Sequence, residues 1–410
     1  MEKKENGTIK FFRYFCLLCV LILGFITIIG SGQEEPWLPD SVYDDMYTSI
    51  AIEDLNGDEA LDIAVTRVDL GSSAAPSSIV VILQDPLKPG SFLTPKSYSV
   101  GYDAWSIAIG DLNDDGLPDL ATANLKSDNV SILFQDSTEP GNFLAATNLP
   151  TGIRPRRVTI GDLNGDGLSD LVIAAKNTSI LFQDSNTPGT FLSATTLGFY
   201  SNCVKIGDLN GDNLPDLAVT GAKEGTVAVL LQDTTNTEKF FSATYFNTGS
   251  QPYFVSIGYI DGDLLPDLAV VNSGSSSANG SVSVLLQDPG TPGNFLSSGN
   301  YVTGRSSDEV AIEDLNGDNL SDLVVVNSCG FFEGNHRVGT ISVLVQNLSS
   351  GGTFQNPTDY DMIFQPLSLA IGDLNGDTLP DIAVADDGAL VLFQKPSTPG
   401  IFYPPKHVGG

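Results

Sequence analysis

Past residue 40 the chain is a succession of short extended runs separated by turn residues. One kind alternates apolar and polar or small positions, as in Ser106-Ile107-Ala108-Ile109-Gly110, and another is compact and apolar, as in Leu217-Ala218-Val219. A third ends in glutamine each time: Val80 to Gln84, Ser131 to Gln135, Ser179 to Gln183, Val227 to Gln232, Val282 to Gln287, Ile341 to Gln346 and Leu390 to Gln394. A turn, often containing Pro-Gly, follows. Then come an aromatic residue and a fourth extended segment, such as Phe143-Leu144-Ala145-Ala146-Thr147. Period-two patterning between turn signals predicts strands, and no segment beyond the N-terminal apolar run carries a helical period.

Between the first and second runs lies a nonapeptide, D-x-[ND]-x-D-x-x-x-D. It begins at Asp54, Asp111, Asp162, Asp208, Asp314 and Asp373, and a damaged copy begins at Tyr259, so successive starts are 46 to 59 residues apart. Seven copies in one context define a repeat of four strands. A four-stranded sheet cannot bury both of its faces alone, but it can when stacked between two neighbours. Units of this length repeated seven times predict an all-β fold: a seven-bladed β-propeller of four-stranded antiparallel blades, with the closed ring removing any need for capping repeats. Spread over residues 33–410, seven blades of roughly 54 residues leave no room for a second domain. A β-solenoid would show much shorter repeats.

The first 32 residues stand outside this fold. Lys3, Lys4, Lys10 and Arg13 precede an apolar stretch from Tyr14 to Ile29, and Gly30-Ser31-Gly32 follows. This order reads as a secretory signal peptide cleaved near Gly32, or as an N-terminal membrane anchor if it stays attached. Either reading places the remainder in an exported compartment (secreted, periplasmic or cell-surface), where calcium is abundant.

Charge narrows the functional classes. The chain holds 19 Lys+Arg against 50 Asp+Glu, a formal net charge of -31, while 41 % of its residues are hydrophobic. Such a surface repels phosphate backbones, so nucleic acid is excluded as a partner, and the membrane is reached only through an uncleaved N-terminal segment. His336 and His407 are the only histidines, which argues against histidine base chemistry and histidine-ligated zinc. Cys203 and Cys329 fall in repeats that are not neighbours and read as buried free thiols.

The acids cluster in the nonapeptides. Positions 1, 3 and 5 of a tight loop point inward, position 7 offers its carbonyl, and position 9 closes the shell, giving oxygen ligands for a hard, flexibly coordinated cation. Calcium suits that set, and six complete loops predict about six sites. The first loop would use Asp54, Asn56, Asp58 and Asp62. The second would use Asp111, Asn113, Asp115 and Asp119, with the carbonyl of Leu117, and the third Asp162, Asn164, Asp166 and Asp170. The fourth has Asp208, Asn210, Asp212 and Asp216, the sixth Asp314, Asn316, Asp318 and Asp322, and the seventh Asp373, Asn375, Asp377 and Asp381. An EF-hand would need Glu at position 12 and flanking helices, which these loops lack. Position 6 sits at a sharp turn that favours positive φ. Gly116, Gly167, Asn213 and Asn319 suit it, whereas Glu59 and Thr378 suit it less. In the fifth copy Tyr259 replaces the first Asp, so Asp261, Asp263 and Asp267 form a degenerate site. Asp and Asn are also good turn formers. A turn, however, needs one or two such residues, not several converging carboxylates whose repulsion would be unrelieved.

These D-x-N-x-D-G-x-x-D-L units resemble FG-GAP repeats of the VCBS-like group, the blades of integrin α-subunit propellers and of many bacterial exported proteins. The resemblance extends over residues 40–408. It implies the propeller fold and calcium bound in the loops, while the partners of that family are too varied to carry over.

The function expected is therefore an exported calcium-binding propeller acting as a binding, adhesion or scaffold module, with calcium in a structural role. Its partner would be an extracellular or periplasmic protein or glycan, of anionic character. The alternative is a propeller enzyme, such as a calcium-dependent polysaccharide lyase or phosphoesterase. No nucleophile elbow, zinc signature or paired histidines support it, and no catalytic residue is assigned. Strand order places the calcium loops and the Pro-Gly turns on one face of the disc. On the opposite face, Arg154, Arg156 and Arg157, together with Phe331, Phe332 and Arg337, combine positive charge and aromatic area as candidate ligand contacts.

Overall fold

A computed structural model describes residues 45–70, 75–221, 223–274, 279–329, 332–333, 336–362 and 364–408. The N-terminal segment and Phe331 lie outside these residues. Seven four-stranded antiparallel sheets follow one another, each with its strands in spatial order one to four, and in the sixth an extra pair of strands falls between the second and third. They span residues 45–99, 104–150, 157–196, 203–247, 252–302, 305–361 and 368–408, referred to below as blades 1 to 7. Blade 2 is representative, with strands Ala104–Gly110, Asp119–Asn124, Asn129–Leu133 and Thr147–Pro150. The first strand of each blade packs against the first strand of the next, and that of blade 7 packs against that of blade 1, closing a ring. The fold is the seven-bladed propeller expected from the repeat.

Burial peaks in the middle strands of each blade, as stacking demands, while the innermost strand is partly exposed along the axis. The second strand Asp119–Asn124 is buried at every residue, because both faces of its sheet are covered by neighbouring blades. The outermost strand Thr147–Pro150 is largely exposed. Each blade interface is a small apolar core. Between blades 7 and 1, for example, Ile50, Val65 and Ile82 meet Ala383, Ala385 and Val391. At about 1.5–3 kcal/mol for each fully buried large aliphatic side chain, such an interface is the main term holding two blades together.

Polar and steric details lock the stacking near the axis. The N–H of Ile107 donates to Ser49 Oγ at 3.2 Å, that of Val158 to Ser106 Oγ at 3.0 Å, and that of Ile50 to Ser368 Oγ at 3.3 Å. Gly161, at the end of its first strand, lies where a Cβ would come 3.1 Å from Ile206 Cδ1 of the next blade. Farther out, the rings of Tyr98 and Phe143 meet edge-to-face at 5.6 Å, and Tyr98 Oη accepts the Phe143 N–H at 3.3 Å. Tyr301 and Phe354 repeat this pairing, as do Tyr360 and Phe402.

All four strands of every blade come from one continuous segment, so the ring closes by side-chain packing and without strand exchange. Blade 6 carries an addition between its second and third strands, a hairpin of two two-residue strands, Phe332–Glu333 paired with His336–Arg337.

Candidate metal loops and the axial channel

The seven nonapeptides connect first to second strands, and all lie on one face of the disc with the turns between third and fourth strands. In each, the residue at position 2 is an apolar anchor. Leu55, Leu112, Leu163, Leu209 and Leu374 have no exposed surface, and Ile260 and Leu315 have almost none. The anchor pins the loop to the blade interface and leaves the flanking polar residues outside.

The second loop shows the wiring. Asp111 Oδ1 accepts the N–H of Asp114 at 2.7 Å, and its Oδ2 accepts the N–H of Gly116 at 2.8 Å. Asn113 Oδ1 accepts the N–H of Asp115 at 3.0 Å, and Asp115 Oδ1 accepts that of Leu117 at 2.9 Å. The Asn113 amide donates to Asp115 Oδ2 at 3.1 Å. Position 9 is built differently. Asp119 is fully buried, with Oδ2 accepting the Leu112 N–H at 2.9 Å and Oδ1 the Gln135 N–H at 2.7 Å. The same two bonds recur at Asp62, Asp170, Asp216, Asp267, Asp322 and Asp381.

Position 6 has positive φ in all seven loops, as the turn requires: Glu59 at 69°, Thr378 at 69° and Leu264 at 66° as well as the glycines and asparagines. Position 4 shares this conformation, a feature the sequence reading missed. It is glycine in six loops and Asp114, at φ 62°, in the second. The repeated Gly after Asn at position 3 was the available signal.

The glutamines that end the third strands also gain a role. Gln84 donates its amide to the Leu61 carbonyl at 2.9 Å and accepts the Gly90 N–H at 3.2 Å, tying the candidate metal loop to the neighbouring turn within one blade. Gln183 and Gln394 do the same. In blade 4, Glu238 stands where the glycine would be, and Gln232 Oε1 is left without a hydrogen bond.

The donor set is oxygen only, and its electrostatics suit a cation. Burial pushes the carboxyls of Asp62 and Asp381 up to about 7 and those of Asp119, Asp170, Asp216, Asp267 and Asp322 up to about 6. Two backbone N–H bonds pull each back, and in the six complete loops the carboxylates at positions 5 and 1 add repulsion. In the sixth and seventh loops the position-3 amide turns to position 9 instead, Asn316 to Asp322 at 3.3 Å and Asn375 to Asp381 at 3.1 Å. Positive hydrogen thus points at the position-9 carboxylate, where a calcium ion would supply far more charge. In the second loop Asp111 Oδ1 takes three N–H contacts, whereas Asp111 Oδ2 and both oxygens of Asp119 each hold one and retain a second lone pair for it. Among the described residues, no three His, Cys, Asp or Glu side chains form a metal cage by themselves. In the six complete loops the Asn oxygen at position 3 would add to the three carboxylates. The residues that would hold calcium are those at positions 1, 3, 5 and 9.

In the fifth loop Tyr259 is exposed, and the bonds that the first Asp receives elsewhere are missing. Asp261, Asp263 and Asp267 keep the rest of the frame, with Asp263 donating its N–H to Asp261 Oδ1 at 3.1 Å. The loop forms without its first carboxylate, so that residue is not needed for the turn alone.

The candidate ligand face needs correction at Arg157. Its side chain, 12 % exposed, does not stand with Arg154 and Arg156 on a loop. Arg157 opens the first strand of blade 3, where alternation turns it toward the axis. There it pairs with Glu309 of blade 6 at 3.5 Å and lies over the ring of Phe254 at 4.5 Å. Arg154 and Arg156 precede the strand; Arg154, at φ 59°, donates its backbone N–H to Asp128 Oδ1 at 2.7 Å. Phe332 and Arg337 belong to the blade 6 hairpin. Cys203 is a buried free thiol, and burial pushes its pKa up.

Among the described residues no helix is long and apolar enough to cross a membrane. No curated protein matches the chain. Solved structures share the fold. BBS1N in its complex with ARL6DN aligns at a TM-score of 0.54 and 15 % identity, over 84 % of this chain and 92 % of its own. A protein of Bacteroides uniformis ATCC 8492, described as a candidate 6-phosphogluconolactonase, aligns at 0.55 and 13 %, over 89 % and 97 %. At such identities the likeness is one of architecture alone. The FG-GAP-like repeat matches residues 54–122, 111–173, 162–219, 208–270 and 314–384, each match starting at the first Asp of a complete loop. These segments take in more than half of the sequence, and the chain belongs to the FG-GAP-like repeat family.

Proposed function

We propose that this propeller is a calcium-stabilised binding or scaffold module working in an exported compartment. The observation that carries the reading is the buried position-9 carboxylate repeated in every blade, with carboxylates at positions 1 and 5 raising its energy in six of them. A cation in those six loops turns an electrostatic liability into a clamp at the blade interfaces. The N-terminal basic and apolar sequence supports export. An extracellular or periplasmic protein or glycan of anionic character is the partner proposed. Arg154, Arg156 and the blade 6 hairpin supply contacts on the face away from the loops.

The test is melting of the purified protein with excess EDTA and after adding calcium, together with ion counting by native mass spectrometry. The expected result is about six ions and a clear rise in Tm. An unchanged Tm with no retained ions sinks the calcium reading and leaves only the scaffold.

A further inference from the structure

The seven first strands do not line the axis symmetrically. At the position five residues before each loop stand, in order, Ser49, Ser106, Arg157, Cys203, Phe254, Glu309 and Ser368. Blades 7, 1 and 2 thus contribute serines, whose hydroxyls are used as acceptors for the next blade. Blades 3 to 6 contribute two opposite charges, a thiol and an aromatic ring. Two residues further along each strand come Ala51, Ala108, Thr159, Lys205, Ser256, Ala311 and Ala370, with Lys205 the one charge. The small side chains leave a cavity of about 340 Å³ on the axis, and Arg157, Lys205, Phe254 and Glu309 are in its wall.

The charges in this wall are underused. Arg157 makes an ion contact with Glu309 and stacks on Phe254, yet no hydrogen bond from its guanidinium is formed among the described residues. A guanidinium carries five N–H donors in a fork shaped for a carboxylate. Glu309 Oε2 is buried and likewise has no hydrogen bond. Lys205 lies with its Nζ 5.0 Å from the centre of the same Phe254 ring. Two cations therefore lie within reach of one aromatic ring in a cavity wall whose only acid is Glu309, with Asp308 also acting on Arg157, in a protein whose formal net charge is -31.

We propose that the axial cavity is a binding site for a small organic carboxylate. Its carboxylate is received by Arg157 and Lys205, and a hydroxyl of the same molecule donates to Glu309. The site is formed by blades 3 to 6 and does not depend on the calcium reading. The volume suits a molecule of monosaccharide size, and the wall discriminates by charge: an uncharged molecule of the same shape leaves both cations unsatisfied.

The test uses the full propeller in calcium-containing buffer, with D-galacturonate, acetate and D-galactose as probes, followed by titration calorimetry and saturation-transfer NMR. Saturable binding of D-galacturonate is expected, with weaker binding of acetate and none of D-galactose. Lys205→Gln, at a partly exposed position, should weaken D-galacturonate binding at least about tenfold while leaving Tm in place. The double variant Arg157→Gln/Glu309→Gln removes both partners of the buried pair together and should abolish binding. No saturable binding of either carboxylate, or binding that survives both variants with wild-type affinity, overturns the proposal and makes the pair a structural plug of the axis. Ion counts and Tm on the same samples report separately on the calcium loops.

Discussion

Gly90, in the outer turn of blade 1, rests against Asn375 in the loop of blade 7: a Cβ built on Gly90 would lie 3.3 Å from the Asn375 Cβ. The contact repeats around the disc. Gly141 faces Asn56, Gly189 faces Asn113, Gly293 faces Asn210 and Gly400 faces Asn316. Each pairs the turn of one blade with position 3 of the preceding blade's loop. The candidate metal loops are thus part of the blade interface, and the contact that closes the ring is of the same kind as the others.

This interlock can be weighed against backbone strain. Gly57 and Gly141 both have φ near that of a left-handed residue, at 77° and 78°. A Cβ on Gly57 meets nothing within 4 Å, whereas on Gly141 it comes 2.9 Å from Leu83 and 3.1 Å from Asn56. Gly57→Ala is expected to cost about 1 kcal/mol, the strain alone. Gly141→Ala should cost about 1–3 kcal/mol more, because a packed interface must shift. Chemical denaturation of both variants measures the difference; equal losses would mean that the turn and loop yield freely.

Thr378 marks a place where stability is left unclaimed. It is β-branched and held at φ 69°, in the position that other loops give to Gly116 or Gly167. Thr378→Gly should stabilise the protein by up to about 1 kcal/mol, since the relief of left-handed strain exceeds the added freedom of the unfolded chain. A lowered midpoint in denaturant would show that the threonine side chain has a role in the loop.

Position 9 carries a structural duty separable from metal. Asp267 belongs to the incomplete loop, yet it accepts the N–H of Ile260 at 2.8 Å and of Gln287 at 2.8 Å. Asp267→Ala leaves two buried donors unpaired and should cost about 2–4 kcal/mol with no change in the number of bound ions. Asp166→Ala, in the complete third loop, should lose one ion. Asp263→Ala, in the fifth, should lose none. Equilibrium unfolding and native mass spectrometry on the three variants separate these effects.

Much of this was readable in the chain because the repeat supplies its own controls. The strand order follows from patterns seen seven times over, and the positive φ at position 6 from the Gly or Asn that four of the seven loops place there. What stayed hidden were relations between repeats. Gln84 reads as the end of a strand, and only the fold shows its amide bridging the Leu61 carbonyl and the Gly90 N–H. Arg157 reads as one of three clustered arginines. Yet Arg157-Val158-Thr159-Ile160 already alternates, and the step from loop to strand falls between Arg156 and Arg157. Its partner Glu309 is three blades away, a juxtaposition that no local pattern encodes.

The fifth loop offers the strictest test of the metal reading, because there a site can be gained. Tyr259 is 59 % exposed, so replacing it removes little packing. The loop backbone already has the required turns, with Gly262 at φ 84° and Leu264 at φ 66°. Asp261, Asp263 and Asp267 stand at positions 3, 5 and 9. Restoring the first acid by Tyr259→Asp completes the set, with a carboxylate at position 3 where the other loops carry Asn. The added charge is unfavourable without a cation, since Asp261 is already pushed up by burial and by Asp263. The variant should therefore melt lower than wild type in EDTA, and in calcium it should recover and bind one ion more. If Tyr259→Asp binds no additional ion while the other loops remain loaded, four acids in this frame are insufficient, and the Asn at position 3 is itself part of what the cation requires.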